Sequence, residues 1–252
     1  MMIGNAKVEY SYDGLKRLIG EYEAISFDIF DTLVMRTVYF NRDVFRIVAQ
    51  KYQKEAPNFY ELRVEAEYNL SRTRYPYMEE IYAYIAKEGG IDQALATEIM
   101  HYEIEVETQV IVPRKEMVEI FNYCKQIGKR VYIVSDMYMH KEDLERIINN
   151  IGIVGYDKIL VSCEYDTSKP QRLFECYKQE VPADSYLHIG DSFACDIAPS
   201  AKLGIDSFRL KMSSEIWEEA GNKPSEELET RTEQAQYIAK ELNSPFSIEK
   251  CN

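Results

Sequence analysis

Four short apolar segments of the chain end at residues that can take part in polar chemistry. The segments lie at 24–29, 130–135, 158–162 and 185–190. The polar residues at or beyond their ends are, in chain order, Asp28, Asp31, Thr32, Ser135, Asp136, Lys169, Asp191 and Asp196. Carboxylates, hydroxyls and a lysine are the side chains that serve nucleophilic attack, metal binding and neutralisation of anions. If the segments are parallel strands, their carboxyl ends share one sheet edge, and these side chains meet there.

Alternation of helices and strands after residue 113 predicts such a sheet. Apolar periodicity indicates helices at 113–128, 140–151, 169–179 and 194–203, which alternate with strands at 130–135, 158–162, 185–190 and 206–210. This order is typical of an α/β fold, a parallel sheet with helices on both faces. The segment 24–29 is predicted to join that sheet as a buried strand.

A long helical stretch separates the first predicted strand from the others. Apolar residues recur in it at steps of three and four, as amphipathic helices require. Pro76 and the pair Gly89-Gly90 punctuate it. We therefore assign residues 1–35 and 113–210 to a catalytic core, 36–112 to a helical cap inserted after strand one, and 211–252 to a polar, partly helical tail.

Composition excludes some classes of function. The 252 residues carry a formal charge of −13, which opposes binding to the phosphate backbone of nucleic acids. No apolar run reaches the ~18 residues of a membrane span, and the N-terminus does not resemble a secretory signal. The five scattered cysteines show no zinc-like spacing and fit a reducing compartment. We expect a cytoplasmic protein; the sequence does not indicate its oligomeric state.

Four segments of the sequence resemble, in order, the four motifs of the haloacid dehalogenase (HAD) superfamily. They are FDIFDTLV, VYIVSD, SKPQRLF and HIGDSFACD, and the resemblance extends over roughly residues 20–210. It implies a Rossmann-like core, and the insertion after strand one matches the position of the helical cap in this family. The form FDxFDTL also resembles a bacterial subgroup of hydrolases.

The resemblance implies a nucleophile beside a magnesium site. Asp28 would attack phosphorus and form an aspartyl-phosphate. The ion would be held by Asp28, the backbone carbonyl of Phe30 and Asp191, with Asp196 as a further ligand or as its support. A cation is needed because Asp28, Asp191 and a phosphate would otherwise repel one another.

The remaining motif residues are predicted to bind the phosphate. Lys169 would neutralise both the nucleophile and the phosphate, and Ser135 would donate to a phosphate oxygen. Thr32 and Asp136 are further candidates, with Thr32 also fixing the loop. The expected substrate is a small phosphate monoester of the sugar phosphate or nucleotide class, enclosed by the cap.

One position departs from the family pattern. Most phosphatases of the family carry a second aspartate two residues after the nucleophile, where this chain has Phe30. The nearest acid is Asp31, and a one-residue shift in an extended chain turns a side chain to the opposite face. A tight loop can re-aim it, so a role for Asp31 as acid–base catalyst stays open.

Phe30 also keeps two other functions open. Dehalogenases of the family carry an aromatic residue at that position, need no metal, and generally bind the substrate carboxylate with a cap arginine. The candidates here are Arg36, Arg42, Arg63, Arg72 and Arg74. The second alternative is a catalytically impaired binding module with the same fold. His188, inside a predicted strand, is interpreted as a packed, hydrogen-bonded core residue.

Overall fold

A computed structural model of the chain describes residues 2–3, 6–72 and 74–246, so the end of the predicted tail, 247–252, lies outside the described residues. The strands are β1 (Met2–Ile3), β2 (Ala6–Lys7), β3 (Ala24–Phe27), β4 (Val34–Arg36), β5 (Ile111–Pro113), β6 (Arg130–Ser135), β7 (Lys158–Val161), β8 (Tyr186–Gly190) and β9 (Asp206–Arg209). The α-helices are α1 (Tyr12–Gly20), α2 (Asp43–Lys51), α3 (Phe59–Ser71), α4 (Met78–Gly89), α5 (Gln93–Val110), α6 (Lys115–Gln126), α7 (Lys141–Asn150), α8 (Phe174–Glu180), α9 (Ala198–Lys202), α10 (Ser213–Glu219) and α11 (Leu228–Glu241).

A five-stranded parallel sheet in the order β7–β6–β3–β8–β9 forms the core. Successive side chains of a strand point to opposite faces. Ile25 and Phe27 accordingly pack into one hydrophobic cluster and Ala24 into another. Both faces of the sheet are therefore covered, and the predicted α/β fold class is confirmed.

Two predicted helices begin differently from the sequence prediction. The segments predicted at 169–179 and 194–203 each start with a wide π-helical turn, Lys169–Leu173 and Phe193–Ile197, before the α-helix continues. Wide turns of this kind occur often at functional sites. Lys169 and Asp196 lie in these two turns. The predicted strand 24–29 also ends early, at Phe27, because the chain turns tightly just after it.

Helices α2 to α5 lie between the short strands β4 and β5, which pair with each other in antiparallel fashion. The predicted cap boundaries fall within these two strands. Met35 of β4 lies opposite Val112 of β5, so the two chain crossings between the core and the inserted helices run side by side.

A buried ion pair joins α3 to α5. Arg63 and Glu103 are both fully buried, and two guanidinium nitrogens of Arg63 lie 2.9 Å from the two carboxylate oxygens of Glu103. The hydroxyl groups of Tyr82 and Tyr138 donate to the same carboxylate over 2.7 and 3.3 Å. Tyr138 belongs to the loop after β6, so this network connects the inserted helices to the core.

The predicted tail contributes two helices and several packing contacts in the part that the structure describes. Its described part contains α10 and α11, and Ile238 of α11 and Leu242, which directly follows that helix, pack on Met35. Arg231 forms two hydrogen bonds, of 2.6 and 2.9 Å, with the buried carboxylate of Asp43 at the start of α2. Within the described residues, no helix has the length and apolarity to cross a membrane.

Candidate active site

Lys169 lies between two carboxylates at the carboxyl edge of the sheet. Its Nζ is 2.9 Å from Oδ1 of Asp28, which directly follows β3, and 2.5 Å from Oδ1 of Asp196. All three side chains are buried. Burial alone would lower the pKa of Lys169, but the neighbouring carboxylates raise it well above its usual value. Lys169 is therefore a charged ammonium group held against the predicted nucleophile.

Asp196 is held by several donors besides Lys169. Its Oδ2 accepts a hydrogen bond of 2.9 Å from the backbone N–H of Ser192, and its Oδ1 lies 3.2 Å from Nε2 of His188. A Cβ atom at Gly190 would approach Cγ of Asp196 to 2.4 Å, so only glycine allows this packing. Burial would raise the pKa of Asp196, but Lys169 and His188 lower it below its usual value. These contacts favour a supporting role; its predicted role as a metal ligand stays a prediction.

His188 is buried inside β8, as expected from the sequence. Its Nδ1 lies 2.9 Å from Oγ of Ser26, so both ring nitrogens have partners. Burial lowers its pKa. The ring therefore helps to orient the carboxylate of Asp196.

Asp28, Asp191 and Asp196 each offer a carboxylate oxygen within 4.8 Å of the others. Burial raises the pKa of Asp28 to about 7; Lys169 opposes this shift and Asp196 adds to it. Burial and the neighbouring charge of Asp28 raise the pKa of Asp191 to about 8. One lysine does not balance the three carboxylates, and buried oxygen ligands in this number suit a hard divalent cation.

The loop after Asp28 turns sharply and re-aims Asp31. Asp31 has a left-handed backbone with φ of 54°, and its carbonyl accepts a hydrogen bond of 2.5 Å from the buried Arg114. Its half-buried side chain lines the cleft next to the carboxylates. The shift to the opposite face, expected for an extended chain, therefore does not exclude Asp31 from the site. Burial raises its pKa, while Arg36 and Arg114 lower it.

Phe30 contacts a cation. The guanidinium carbon of Arg36 lies 4.0 Å from the centre of the Phe30 ring, and its Nε donates to Glu107 over 2.9 Å. The position of the missing aspartate is therefore occupied by an aromatic ring stacked under an arginine that already has a carboxylate partner.

The predicted phosphate-binding residues differ in their contacts. Within the described part of the chain, the buried Oγ of Ser135 has no hydrogen-bond partner, which leaves it available to a ligand. Asp136 accepts from the backbone N–H of Lys169 over 2.9 Å and so fixes the start of that turn. Thr32 approaches Oδ1 of Asp191 to 3.4 Å. Direct contact of Thr32 and Asp136 with phosphate stays a prediction.

The carboxylates face a cleft of about 680 Å³. Inserted helices and their connecting loops contribute Arg42, Phe45, Tyr75 and other residues to its walls, and the core contributes Lys169. Substrate bound at Asp28 would therefore contact both the core and the inserted segment.

The five cap arginines have very different surroundings. Arg63 is buried against Glu103, Arg74 pairs with exposed acids, and Arg72 is exposed at the end of α3, outside the cleft. Arg36 is paired with Glu107. Arg42 is exposed and lines the cleft, and its guanidinium group has no ion pair or hydrogen bond with other described residues. It is the cap arginine best placed to meet an anionic ligand.

Two further arginines support the site and were missed in the sequence. Arg114 holds the carbonyls of Asp31 and Lys211, and Arg209 donates over 2.8 Å to the carbonyl of Asp191. Arg114 follows β5 and Arg209 ends β9. Their sequence signal is a basic residue at the end of a short strand, which is too common to be specific.

The comparisons with known proteins agree with this fold. The family model of haloacid dehalogenase-like hydrolases matches residues 22–204. No curated protein matches the sequence. The 2-haloacid dehalogenase of Pseudomonas syringae pv. Tomato DC3000 has a similar structure, with a TM-score of 0.55, 13% identity, and coverage of 82% of this chain and 90% of that chain. An HAD family enzyme of Bacteroides thetaiotaomicron gives a TM-score of 0.55 at 14% identity, covering 80% and 99% of the two chains.

A third solved structure is the putative HAD-hydrolase YfnB of Bacillus subtilis, bound to magnesium. Its TM-score is 0.50 at 15% identity, with 87% of this chain and 99% of that chain covered. Structural likeness at these identities shows a shared fold. The family match extends over most of the sequence and includes all four motif segments. The chain therefore belongs to the haloacid dehalogenase-like hydrolases.

Proposed function

We propose that the protein is a magnesium-dependent hydrolase of phosphate monoesters that works through an aspartyl-phosphate on Asp28. The observation that carries this proposal is the buried group of Asp28, Asp191 and Asp196, which a single cation, Lys169, does not neutralise. A nucleophile beside a lysine does not require a third buried carboxylate, and burying the unpaired charge of Asp191 is costly. A bound cation would offset that cost.

The donor set fits magnesium. Lys169 lies against one carboxylate oxygen of Asp28, Oδ1, and Oδ1 of Asp191 accepts only a long hydrogen bond of 3.4 Å from Thr32. Together with the carbonyl of Phe30, these two carboxylates would hold the ion. Asp196, already held by Lys169 and His188, would orient this arrangement. When bound, the ion would neutralise the carboxylates and polarise a phosphoryl oxygen. The magnesium-bound structure of YfnB, which shares the fold, supports the same choice of metal.

The chain's own residues account for the rest of the reaction. An oxygen of Asp28 forms a bond to phosphorus while the bond from phosphorus to the leaving alcohol breaks. Lys169 neutralises Asp28 and a phosphate oxygen, and the free hydroxyl of Ser135 donates to another. Water then hydrolyses the aspartyl-phosphate, which releases phosphate and restores Asp28. Phe45 and Tyr75 of the inserted segment line the cleft in which these steps take place.

Asp31 is the nearest candidate for the proton transfers. It must protonate the leaving alcohol and then accept a proton from water, and its side chain lines the cleft. General acid–base catalysis contributes ~10²–10⁴ in rate, so Asp31→Asn should lower kcat by at least about 100-fold if Asp31 has this role. A change of less than a few-fold would remove it as the catalyst.

A metal-independent dehalogenase is the second candidate. Phe30 favours it, and Arg42 is suitably free to bind a substrate carboxylate. In that reaction Asp28 would displace halide from carbon, and Asp191 would have no cation to bind. The carboxylate group makes this the weaker alternative.

One screen separates the two candidates. Phosphorylated metabolites and 2-haloacids are each offered to the protein with added magnesium and with chelator, and phosphate and halide release are measured. We expect phosphate release that requires magnesium and is abolished in Asp28→Asn, whereas Asp184→Asn, an exposed aspartate outside the site, keeps full activity. Halide release unaffected by chelator, with no phosphate release, would establish the dehalogenase instead.

A further inference from the structure

A second cavity of about 1340 Å³ adjoins the catalytic cleft. One wall is formed by α2 and the loop before it, and the opposite wall by the C-terminal segment. The C-terminal wall includes Ser214 and Glu218 of α10 and Leu228 of α11. We call this cavity the tail groove. It lies between the inserted helices and a segment beyond the family match, which ends at residue 204.

The tail groove and the catalytic cleft share a boundary. The residues lining both are Asp31, Arg36, Asn41, Arg42 and Met212. A molecule whose phosphate lies at Asp28 can therefore continue past Arg42 into the tail groove. Ligand sites of drug-sized molecules are typically ~300–1,000 Å³. The cleft of about 680 Å³ is therefore large enough for a small metabolite by itself, and only a longer substrate would extend into the tail groove.

The C-terminal wall is fixed to the inserted helices by specific contacts. Arg231 of α11 forms its two hydrogen bonds with the buried Asp43, and it also donates to the carbonyls of Ser225 and Glu226. α11 packs on Met35 of β4. Because these contacts hold α11 against α2 and β4, the groove is a built feature of the fold.

Arg42 is the available cation of the tail groove. Among the other arginines that line it, Arg36 is paired with Glu107, Arg231 with Asp43, and Arg46 stacks on Tyr60. Arg42 has no such partner among the described residues and stands where the two cavities meet. A free guanidinium favours bidentate hydrogen bonding to phosphate or carboxylate groups.

The groove also offers an apolar surface. Phe40 is 48% exposed and lines the groove next to Tyr39, whose ring centre is 5.1 Å away. An exposed aromatic ring in a concave site can pack against a ring of a ligand. The lining therefore combines one free cation with an exposed aromatic face.

We propose that the tail groove binds the leaving-group part of an extended phosphate monoester that carries a second anionic group and a ring. Arg42 engages the second anion, Phe40 packs on the ring, and the C-terminal helices form the outer wall. The inference rests on the proposed phosphohydrolase activity and narrows its substrate class. It also makes the C-terminal segment a determinant of specificity.

The test compares three esters of different size and charge. The probes are p-nitrophenyl phosphate, adenosine 5′-monophosphate and adenosine 3′,5′-bisphosphate, and kcat/KM is measured with magnesium. Arg42→Ala removes the free cation, and Ser214→Tyr places a bulky side chain in the groove from the tail. Arg72→Ala is the matched control, because Arg72 is an exposed cap arginine that lines neither cavity.

We expect the bisphosphate to be preferred over the monophosphate by the parent protein. Arg42→Ala should reduce that preference by about tenfold or more, the effect of losing a charge-assisted hydrogen bond. Ser214→Tyr should lower kcat/KM for both nucleotides by about tenfold relative to p-nitrophenyl phosphate. Arg72→Ala should change neither ratio. Absence of the preference, or ratios that both variants leave unchanged, would overturn the inference while the phosphohydrolase activity stands.

A binding measurement distinguishes failure of the tail-groove inference from failure of the proposed function. If none of the three esters is hydrolysed, the groove is tested by calorimetric titration of the bisphosphate into Asp28→Asn with magnesium. The proposed function itself is refuted if the screen of phosphorylated metabolites also finds no phosphate release. Binding that is weakened about tenfold by adding Arg42→Ala or Ser214→Tyr would support the groove. Absence of binding, or binding insensitive to both changes, would refute it.

Discussion

Replacing Arg63 by methionine removes the cation at the centre of the inserted helices. The parent guanidinium makes hydrogen bonds of 2.9 Å to each oxygen of Glu103 and lies 4.0 Å from the ring centre of Phe45. Both ion-pair partners are fully buried. Methionine fills much of the volume of the lost side chain but leaves the carboxylate of Glu103 without a cation.

The expected loss in the free energy of unfolding follows from this geometry. Removing one partner of a buried ion pair typically costs about 3–5 kcal/mol. Tyr82 and Tyr138 still donate to Glu103, which keeps the cost near the lower end. The lost pair with the partly exposed Glu67 adds little, since such pairs are worth ~0–1 kcal/mol. We expect Arg63→Met to destabilise the protein by about 3 kcal/mol.

Urea unfolding followed by circular dichroism measures this loss. The double variant Arg63→Met with Glu103→Gln removes the buried charge but keeps an acceptor for the two tyrosines, so it should recover at least about 1 kcal/mol. Arg46→Met is the matched control. Arg46 also stacks on an aromatic ring, but its side chain is half exposed and its Nε lies 3.7 Å from Oδ1 of Asp43, a longer separation than in the buried pair of Arg63. Its replacement should cost less than about 1 kcal/mol.

Two results would refute this reasoning. If Arg63→Met costs no more than Arg46→Met, the buried pair does not stabilise the inserted helices. If the double variant is as unstable as Arg63→Met, the loss comes from packing of the arginine and not from an uncompensated charge on Glu103.

Three further predictions concern the site and the thiols. Burial raises the pKa of Asp28 to about 7 and that of Asp191 to about 8, above the value of ~3.9 in the unfolded chain. The metal-free folded state therefore binds protons more tightly than the unfolded state, and it loses stability as pH rises from about 4 to 8. Magnesium should therefore raise Tm more at pH 8 than at pH 6 in thermal scans; an equal rise would contradict this assignment. Phe30→Asp places a carboxylate two residues after the nucleophile, so it should raise kcat for phosphate release by about tenfold or more. A lower kcat would show that activity needs the contact between Arg36 and the Phe30 ring. Burial raises the pKa of Cys124 to about 12, so iodoacetamide at pH 8 should modify half-buried Cys176 well before Cys124. Mass spectrometry of the modified protein measures this order, and equal modification of the two thiols would be inconsistent with the burial of Cys124.

Local patterns in the sequence were sufficient to predict the core. Apolar strands alternating with amphipathic helices specify a parallel sheet because each strand must bury both faces. That sheet brings the ends of 24–29 and 185–190 to one edge, which is why Asp28 and Asp191 were predicted together. They lie there as neighbouring carboxylates. Order and spacing along the chain carry this information without any knowledge of tertiary contacts.

Backbone conformation decided the position of Asp31. The sequence left two positions open for its side chain: the face opposite Asp28 if the chain is extended, or the site if a tight loop re-aims it. In the structure the backbone at Asp31 is left-handed, Arg114 from a distant part of the chain holds its carbonyl, and Asp31 lines the cleft. A non-glycine residue adopts this conformation only when surrounding contacts compensate its cost, and those contacts are not local in sequence.

Only the tertiary structure distinguished the cap arginines and showed what the tail packs against. Arg63 and Arg42 have equally unremarkable sequence contexts, but one is fully buried against Glu103 and the other is free at the junction of two cavities. The polar tail is held against the inserted helices because Arg231 binds Asp43, a residue 188 positions earlier. The sequence by itself determined which residues can perform the chemistry and which sheet edge presents them. The partner of each charged side chain depends on long-range contacts, and only the folded chain decides whether that side chain supports the structure or remains available to a ligand.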